Sequence, residues 1–215
     1  YVTNGLLELF QRQDYQEPEE VGKPRELHFI LEDMLAFAVA HGILEDDTVT
    51  MKDLFDTKIM GILTPAPSVI RKVFEEKYQV SPKAATEFYY HFSQATNYIR
   101  TDRIIKDEKW ETDTEFGKMD ITINLSKPEK DPRDIAKDGT AKKSGYPACL
   151  LCRENEGYAG HLSHPARQNH RIIPITLCGE QYYLQYSPYV YYNEHCIIFN
   201  KNHIPMAINE ITFNK

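Results

Sequence analysis

The sequence has neither a long apolar run nor an excess of basic residues. No stretch approaches the roughly 18 to 20 consecutive apolar residues that a membrane-spanning helix needs, and no secretory signal pattern is present. Lys and Arg number 25 against 32 Asp and Glu, a formal net charge of -7. General nucleic-acid binding requires a basic field. We therefore expect a cytoplasmic protein that binds no nucleic acid and no membrane.

Cysteine is scarce, since the four in this chain are too few for a disulfide scaffold. Cys149 and Cys152 form a Cys-x-x-Cys pair, which in a cytosolic protein indicates metal or redox chemistry. Zinc takes four ligands, and no second such pair follows, so the remaining ligands would have to be histidines. The candidates are His161, His164, His170, His195 and His203. The alternative is an incidental pair of reduced thiols.

Signatures of nucleophilic catalysis are missing as well. The sequence contains no Gly-x-Ser-x-Gly elbow, no glycine-rich phosphate loop and no His-x-His arrangement. We therefore assign no catalytic residue within this chain.

The first half of the chain carries the periodicity of helices. Apolar residues recur at helical spacing, and caps and prolines mark the ends. Predicted helices cover 27–39, 51–63, 68–78 with Ser68 as cap, and a longest helix that starts at Ser81-Pro82. Apolar stripes on such helices are typical of packing faces. We predict a helical region over residues 1–105.

The second half alternates as strands do. Residues 121–125 predict one strand, and 172–177 with 182–186 predict a hairpin around Cys178-Gly179-Glu180-Gln181. Residues 195–199 predict a further strand, whereas the charged segment 127–143 is typical of a long exposed loop or linker. The fold class is therefore α+β, with a mostly antiparallel β-rich domain over 106–215.

A basic, amide-rich loop stands out in this acidic chain. Residues 164–171 hold Arg167, Asn169 and Arg171, and no acidic residue occurs from 157 to 177. Arginine offers a planar set of donors suited to phosphate oxygens. Six tyrosines follow between 182 and 192, and tyrosine can both stack on a ring and form hydrogen bonds. Together the loop and the tyrosines favour a site for a phosphorylated, ring-bearing ligand over a plain surface loop.

Three segments resemble the galactose-1-phosphate uridylyltransferases, in the class typical of Gram-positive bacteria. They are Cys149-Leu-Leu-Cys-Arg-Glu-Asn-Glu-Gly-Tyr-Ala-Gly, His164-Pro-Ala-Arg-Gln-Asn-His-Arg-Ile-Ile-Pro and Gln185-Tyr-Ser-Pro-Tyr-Val-Tyr-Tyr-Asn-Glu-His-Cys-Ile-Ile-Phe. The family belongs to the histidine triad superfamily, and the resemblance implies that fold for the β-rich part. His203 stands where the other class of the family places a histidine metal ligand.

The resemblance implies transfer of UMP from UDP-glucose to galactose 1-phosphate through a uridylyl-histidine intermediate. The nucleophilic histidine is expected beyond residue 215, so this chain alone is expected to be inactive. The substrate contacts implied are Arg167, Asn169, Arg171, Ser187 and Tyr189. Cys149, Cys152 and His203 would hold a structural zinc ion, and the full-length protein would be a homodimer. The alternatives are a non-catalytic, zinc-stabilised interaction module and a histidine-triad nucleotide hydrolase or phosphorylase.

Overall fold

The computed structural model describes residues 25–126, 131–140, 145–189, 192–205 and 207–210, apart from the side chains of residues 137, 138 and 140. It is an α+β protein with a helical N-terminal region followed by antiparallel strands, as predicted, and one further helix lies between the two sheets in chain order. Some predictions fall on residues outside the described structure. They concern parts of the predicted helical region, parts of the predicted loop, and Tyr191 of the tyrosine set.

The four predicted helices are present in the predicted order, and two shorter helices were not predicted. The predicted four are α1 (Leu27–Ala40), α2 (Val49–Leu63), α3 (Pro67–Val80) and α4 (Pro82–Ala95), and the other two are α5 (Thr101–Ile104) and α6 (Pro132–Thr140). Ser81 caps α4 as predicted, because its side chain accepts a hydrogen bond from the amide of Ala84 at 3.0 Å. The cap predicted at Ser68 is wrong. Pro67, whose fixed φ suits a first helical turn, begins α3 one residue earlier, with Ala66 as N-cap.

The apolar stripe of α1 is only partly packed. Leu31 and Ala38 are buried, whereas Ile30, Met34 and Val39 are 37–41% exposed. The helix was predicted correctly, but the interpretation of its whole stripe as a packing face is wrong for these three residues.

Five strands form two antiparallel sheets among the described residues. β1 (Glu108–Thr114) and β2 (Gly117–Ile123) make a two-stranded ribbon, and β3 (Ile173–Leu177), β4 (Glu180–Tyr186) and β5 (Cys196–Asn200) make a three-stranded sheet in that order. The β3–β4 turn is shorter than predicted and consists of Cys178 and Gly179, both at positive φ. β1 was not predicted. The exposed loop predicted over 127–143 is wrong where α6 forms.

The main core joins the helices to the three-stranded sheet. Ile70 and Phe74 of α3 and Tyr89 of α4 pack in one buried cluster with Ile173 of β3 and Tyr186 of β4. This cluster crosses the predicted boundary between 1–105 and 106–215, and the division into two domains stays a prediction. Within the described part of the chain, no helix is both long and apolar enough to cross a bilayer.

Candidate functional site

The two cysteines of the Cys-x-x-Cys pair meet a histidine that is distant in sequence. Cys149 Sγ lies 3.2 Å from Cys152 Sγ, which in turn lies 3.0 Å from Nδ1 of His203. The turn 149–152 carries the thiols, and His203 follows the end of β5. These three ligand atoms lie within 4.8 Å of one another, so the group could hold a metal ion. Partial burial and the neighbouring Cys149 thiol raise the pKa of Cys152 to about 11, which favours the protonated thiol at pH 7.

Asn155 connects the cysteine turn to His164. Its side-chain nitrogen donates to the carbonyls of Cys149 and Cys152, both at 2.8 Å, and its oxygen lies 2.6 Å from Nε2 of His164. Because both amide hydrogens are engaged, the amide oxygen must accept a hydrogen from His164. Neutral His164 therefore carries its proton on Nε2 and a lone pair on Nδ1. Burial, with smaller effects of His161 and Arg167, lowers the pKa of His164 and favours this neutral form.

His161 and His164 form a tight turn held by their own backbones. The amide of each donates to the carbonyl of the other, at 2.8 and 3.0 Å. Within the turn, the amide and hydroxyl of Ser163 lie 3.2 and 3.0 Å from Nδ1 of His161. Gly160, just before the turn, has φ +75° and lies so close to Ala166 that an added Cβ would be 2.6 Å from Ala166 Cα. Glycine is therefore required at this position.

A cavity of about 360 Å³ lies beside this turn. Its lining includes Arg167, Asn169 and Tyr189 from the predicted site, together with His161 and His164. The helical region supplies the opposite wall, from Asp53, Tyr98, Arg100 and Arg103. Three of the five predicted substrate-binding residues therefore share one cavity.

The guanidinium of Arg167 lies over an aromatic ring in this cavity. Its guanidinium carbon lies 5.5 Å from the ring centroid of Tyr98, and Nη1 donates to its neighbour's carbonyl, Ala166 O, at 3.0 Å. His170 is also stacked on Tyr98, at 4.1 Å between ring centroids. Burial lowers the pKa of His170 to about 3 and raises the pKa of Tyr98 to about 12, so both rings are neutral at pH 7. The positive charge of the stack thus resides on Arg167.

The arginines of the opposite wall are already paired. Arg103 makes a two-pronged contact with the carboxylate of Asp53, at 3.0 and 2.5 Å, and Arg100 pairs with Asp56. No described carboxylate lies within ion-pair distance of Arg167. Among the described arginines that line the cavity, Arg167 is therefore the one left to bind an anion.

Asn169 and Arg171 are both buried, but only Asn169 lines the cavity. Asn169 donates from its side chain to the carbonyl of Thr96 at 2.8 Å. Every nitrogen of the Arg171 guanidinium donates to backbone carbonyls at 2.7–3.2 Å, namely those of Thr64, Pro65, Gln168 and His170. Arg171 thereby fastens the α2–α3 connection to the loop, and its contact with a ligand stays a prediction.

Ser187 and Tyr189 form a compact turn after β4. The Ser187 hydroxyl donates to the carbonyl of Tyr189 at 2.9 Å and accepts from its amide at 3.1 Å. Tyr189 borders the cavity, whereas Ser187 is buried behind it. Of the other predicted tyrosines, Tyr186 is buried in the core and Tyr192 is exposed. Among the described tyrosines of this segment, Tyr189 is therefore the one that lines the cavity.

Sequence reasoning missed the contribution of the helical region. Tyr98, Arg100 and Arg103 fall where α4 ends and α5 begins. The sequence pattern that could have indicated this wall of the cavity is the pair of arginines three residues apart, just after an aromatic residue.

Comparisons with known proteins agree on one family. The family model described as "Galactose-1-phosphate uridyl transferase, N-terminal domain" matches residues 4–205. The chain is 53% identical over 213 residues to the galactose-1-phosphate uridylyltransferase of Clostridium acetobutylicum, covering 99% of this chain and 43% of that protein. It is 53% identical over 216 residues to that of Butyrivibrio fibrisolvens, covering 100% and 55%. It is 52% identical over 190 residues to that of Bacillus subtilis, covering 86% and 37%.

The chain therefore spans between about a third and somewhat over half of the length of these relatives. No solved structure matches it.

Proposed function

This chain belongs to the galactose-1-phosphate uridylyltransferase family, and from that premise we propose that it provides a sugar-nucleotide cavity for transfer of UMP from UDP-glucose to galactose 1-phosphate. The reaction would pass through a uridylyl-histidine intermediate in galactose metabolism. The nucleophilic histidine would belong to the part of the polypeptide that the relatives carry outside the matched segment. The three relatives share the transferase name, which favours this function over an interaction module or a nucleotide hydrolase.

The observation that carries the proposal is the Arg167–Tyr98 stack. Arg167 is a cavity-lining cation without a described carboxylate partner, and its guanidinium is held by the Tyr98 ring and by the carbonyl of Ala166. A planar guanidinium held in one orientation can bind two phosphate oxygens at once. We assign Arg167 to a phosphate of the sugar nucleotide.

Asn169 and Tyr189 would complete the contacts with the ligand. Both line the cavity near Arg167. An amide and a phenol can hydrogen-bond a base or sugar edge, and the phenol ring can also stack. Ser187 and Arg171 would act behind them, since Ser187 shapes the turn that carries Tyr189 and Arg171 fastens the loop that carries Arg167.

The metal group would hold a structural zinc ion. Two thiolates and one imidazole are the soft and borderline donors that zinc prefers, and Cys149, Cys152 and His203 supply them. When bound, the ion would stabilise both thiolates and join the cysteine turn to the end of β5. We also propose a cytoplasmic homodimer for the full-length protein.

Calorimetry with UDP-glucose tests the anion site. Replacing Arg167→Gln removes the cation and should weaken binding by roughly 1.5–3 kcal/mol, the value of a hydrogen bond to a charged group. Arg153→Gln is the matched control, because Arg153 is exposed and does not line the cavity. Equal affinity of the Arg167 variant and the wild type would contradict the assignment. Tighter binding of ADP-glucose than of UDP-glucose would favour a different histidine-triad enzyme.

Elemental analysis tests the metal assignment. One equivalent of zinc should be present, and Cys152→Ser should remove it while Cys178→Ser, at an exposed cysteine in the β3–β4 turn, should not. Less than about a tenth of an equivalent in the wild type would contradict the metal site and leave the nucleotide cavity unaffected.

A further inference from the structure

The β1–β2 ribbon carries its large apolar side chains on one face, here called the apolar face, and only polar side chains on the other, the charged face. Side chains that oppose each other across an antiparallel pair lie on the same face. One face therefore holds the pair Trp110 and Ile121, flanked by Met119 and Ile123 on β2, with Glu108, Thr112 and Thr114 of β1 at its other positions. The other face carries charged and hydroxyl side chains only, namely Lys109, Glu111, Asp113, Lys118, Asp120 and Thr122. This segregation is what a ribbon needs when one face packs against another surface.

Most of the apolar face is exposed among the described residues, and Ile121 at its centre is partly buried. Trp110, Met119 and Ile123 are 45–48% exposed, and Phe116 at the tip is 88% exposed. β1 and β2 pack on each other, and neither packs extensively on another described helix or strand. A two-stranded hairpin alone is marginally stable in water, so a largely exposed apolar face on such an element points to a partner surface.

The base of the ribbon is fixed beside the candidate site. The carboxylate of Asp107, just before β1, accepts from the amide and the hydroxyl of Ser126 at 2.7 and 3.1 Å. Ser126, which follows β2, borders the same cavity as Arg167. A surface that packs on the ribbon would therefore lie next to the cavity.

We propose that the apolar face of the β1–β2 ribbon is the docking site for the part of the transferase polypeptide that the relatives carry outside the matched segment. The inference rests on the proposed function, because that part would bring the nucleophilic histidine to the cavity. The relatives are long enough to supply it, since this chain covers 43% and 55% of two of them.

The size of the face favours a tethered occupant over a second copy of the chain. Strands of seven residues are about 24 Å long, and two of them are about 10 Å wide, so the face covers on the order of 240 Å². A stable interface between separate proteins buries about 800 Å² on each partner. A covalently linked segment is present at an effective concentration in the millimolar range, so a much smaller surface suffices.

Hydrogen exchange of residues 108–123 tests the proposal. The ribbon is compared in the 215-residue chain and in a full-length chimera, in which this chain replaces its counterpart in the Butyrivibrio fibrisolvens transferase. We expect its amides to exchange at least tenfold more slowly in the chimera. Trp110→Ser with Ile121→Ser should abolish that difference. Lys109→Ser with Thr122→Ser, the neighbouring cross-strand pair on the charged face, should preserve it.

Equal exchange in the chain and the chimera would overturn the proposal. A second result would also overturn it: the 215-residue chain self-associates in sedimentation, and on association the emission of Trp110, its single tryptophan, shifts to shorter wavelength. The occupant of the apolar face would then be a second copy of the chain. An inactive chimera with a protected ribbon would count against the proposed function alone. An active chimera with an unprotected ribbon would count against the docking site alone.

Discussion

Arg167 lies over the ring of Tyr98, with 5.5 Å between the guanidinium carbon and the ring centroid. The two residues come from different parts of the fold, since Tyr98 follows α4 and Arg167 lies in the loop before β3. The contact joins the helical region to the basic loop at the point where an anion would bind. The position of the Arg167 charge therefore depends on a residue far away in sequence.

Replacement of Tyr98 should separate stacking from hydrogen bonding. Tyr98→Leu removes the ring and should weaken UDP-glucose binding by about 1 kcal/mol, the value of a cation–π contact. Tyr98→Phe keeps the ring and loses the hydrogen bond to the carbonyl of Tyr186, so stability should fall by about 1 kcal/mol with affinity retained. Calorimetry and urea denaturation measure the two effects. Wild-type affinity in the leucine variant would refute the positioning role.

Gly160 should tolerate no side chain. In Gly160→Ala the new Cβ would meet the backbone of Ala166, 2.6 Å from its Cα, at a φ of +75°. Overpacking and backbone strain together should lower the free energy of unfolding by about 2–4 kcal/mol. Urea denaturation provides the measurement.

Gly157 provides the matched control for this substitution. It has a similar φ of +78°, but an added Cβ would meet nothing within 4 Å. Gly157→Ala should therefore cost only the strain of the left-handed conformation, about 1–2 kcal/mol. Equal losses in the two variants would show that the close approach of Gly160 to Ala166 does not constrain the loop.

Local patterns in the sequence predicted most of the fold. Ser81-Pro82 marks the start of α4 because a capping hydroxyl and a proline in the first turn act within a few residues. The alternation around Ile121 predicted β2, but β1 has mixed residues and was missed. In the 127–143 segment, composition predicted a loop, whereas residues 132–140 form α6. Charged composition alone does not exclude a short helix.

The candidate site was predictable only in part, because its geometry depends on tertiary contacts. The basic loop pointed to Arg167, and the cavity contains it. Arg171 looks equivalent in sequence, yet it is 4% exposed and donates to backbone carbonyls. Tyr98 lies about 70 residues before the loop, and no local pattern places its ring beneath Arg167. Which arginine faces a ligand is decided by packing.

Asn155 should influence metal affinity without being a ligand. Asn155→Ala removes both donors to the carbonyls of the cysteine turn and the acceptor of His164. Loss of such outer contacts typically weakens metal binding by about 10–100-fold, and we expect at least tenfold here. Competition with a chromogenic chelator measures the change. Asn193→Ala, at an exposed asparagine, is the control, and equal zinc affinity in both variants would rule out this role.

Acid should destabilise the protein partly through His170. Burial lowers the pKa of His170 to about 3, whereas in the unfolded chain it is about 6.5. Between these values the unfolded chain binds a proton that the folded protein does not. This contribution to stability is therefore complete above pH 6.5 and is lost as the pH falls. From pH 7.5 to 5 the loss should be about 2 kcal/mol, at about 1.4 kcal/mol per pKa unit.

Urea denaturation at several pH values isolates this contribution. His170→Gln keeps a donor for the oxygen of Gln185, 3.0 Å from His170 Nε2, but cannot titrate. We expect the variant to be less stable at pH 7.5, because the stack on Tyr98 is lost, yet to lose about 2 kcal/mol less than the wild type on acidification. His91→Gln, at an exposed histidine, should follow the wild-type profile. Parallel profiles for the His170 variant and the wild type would show that His170 is not buried in its neutral form.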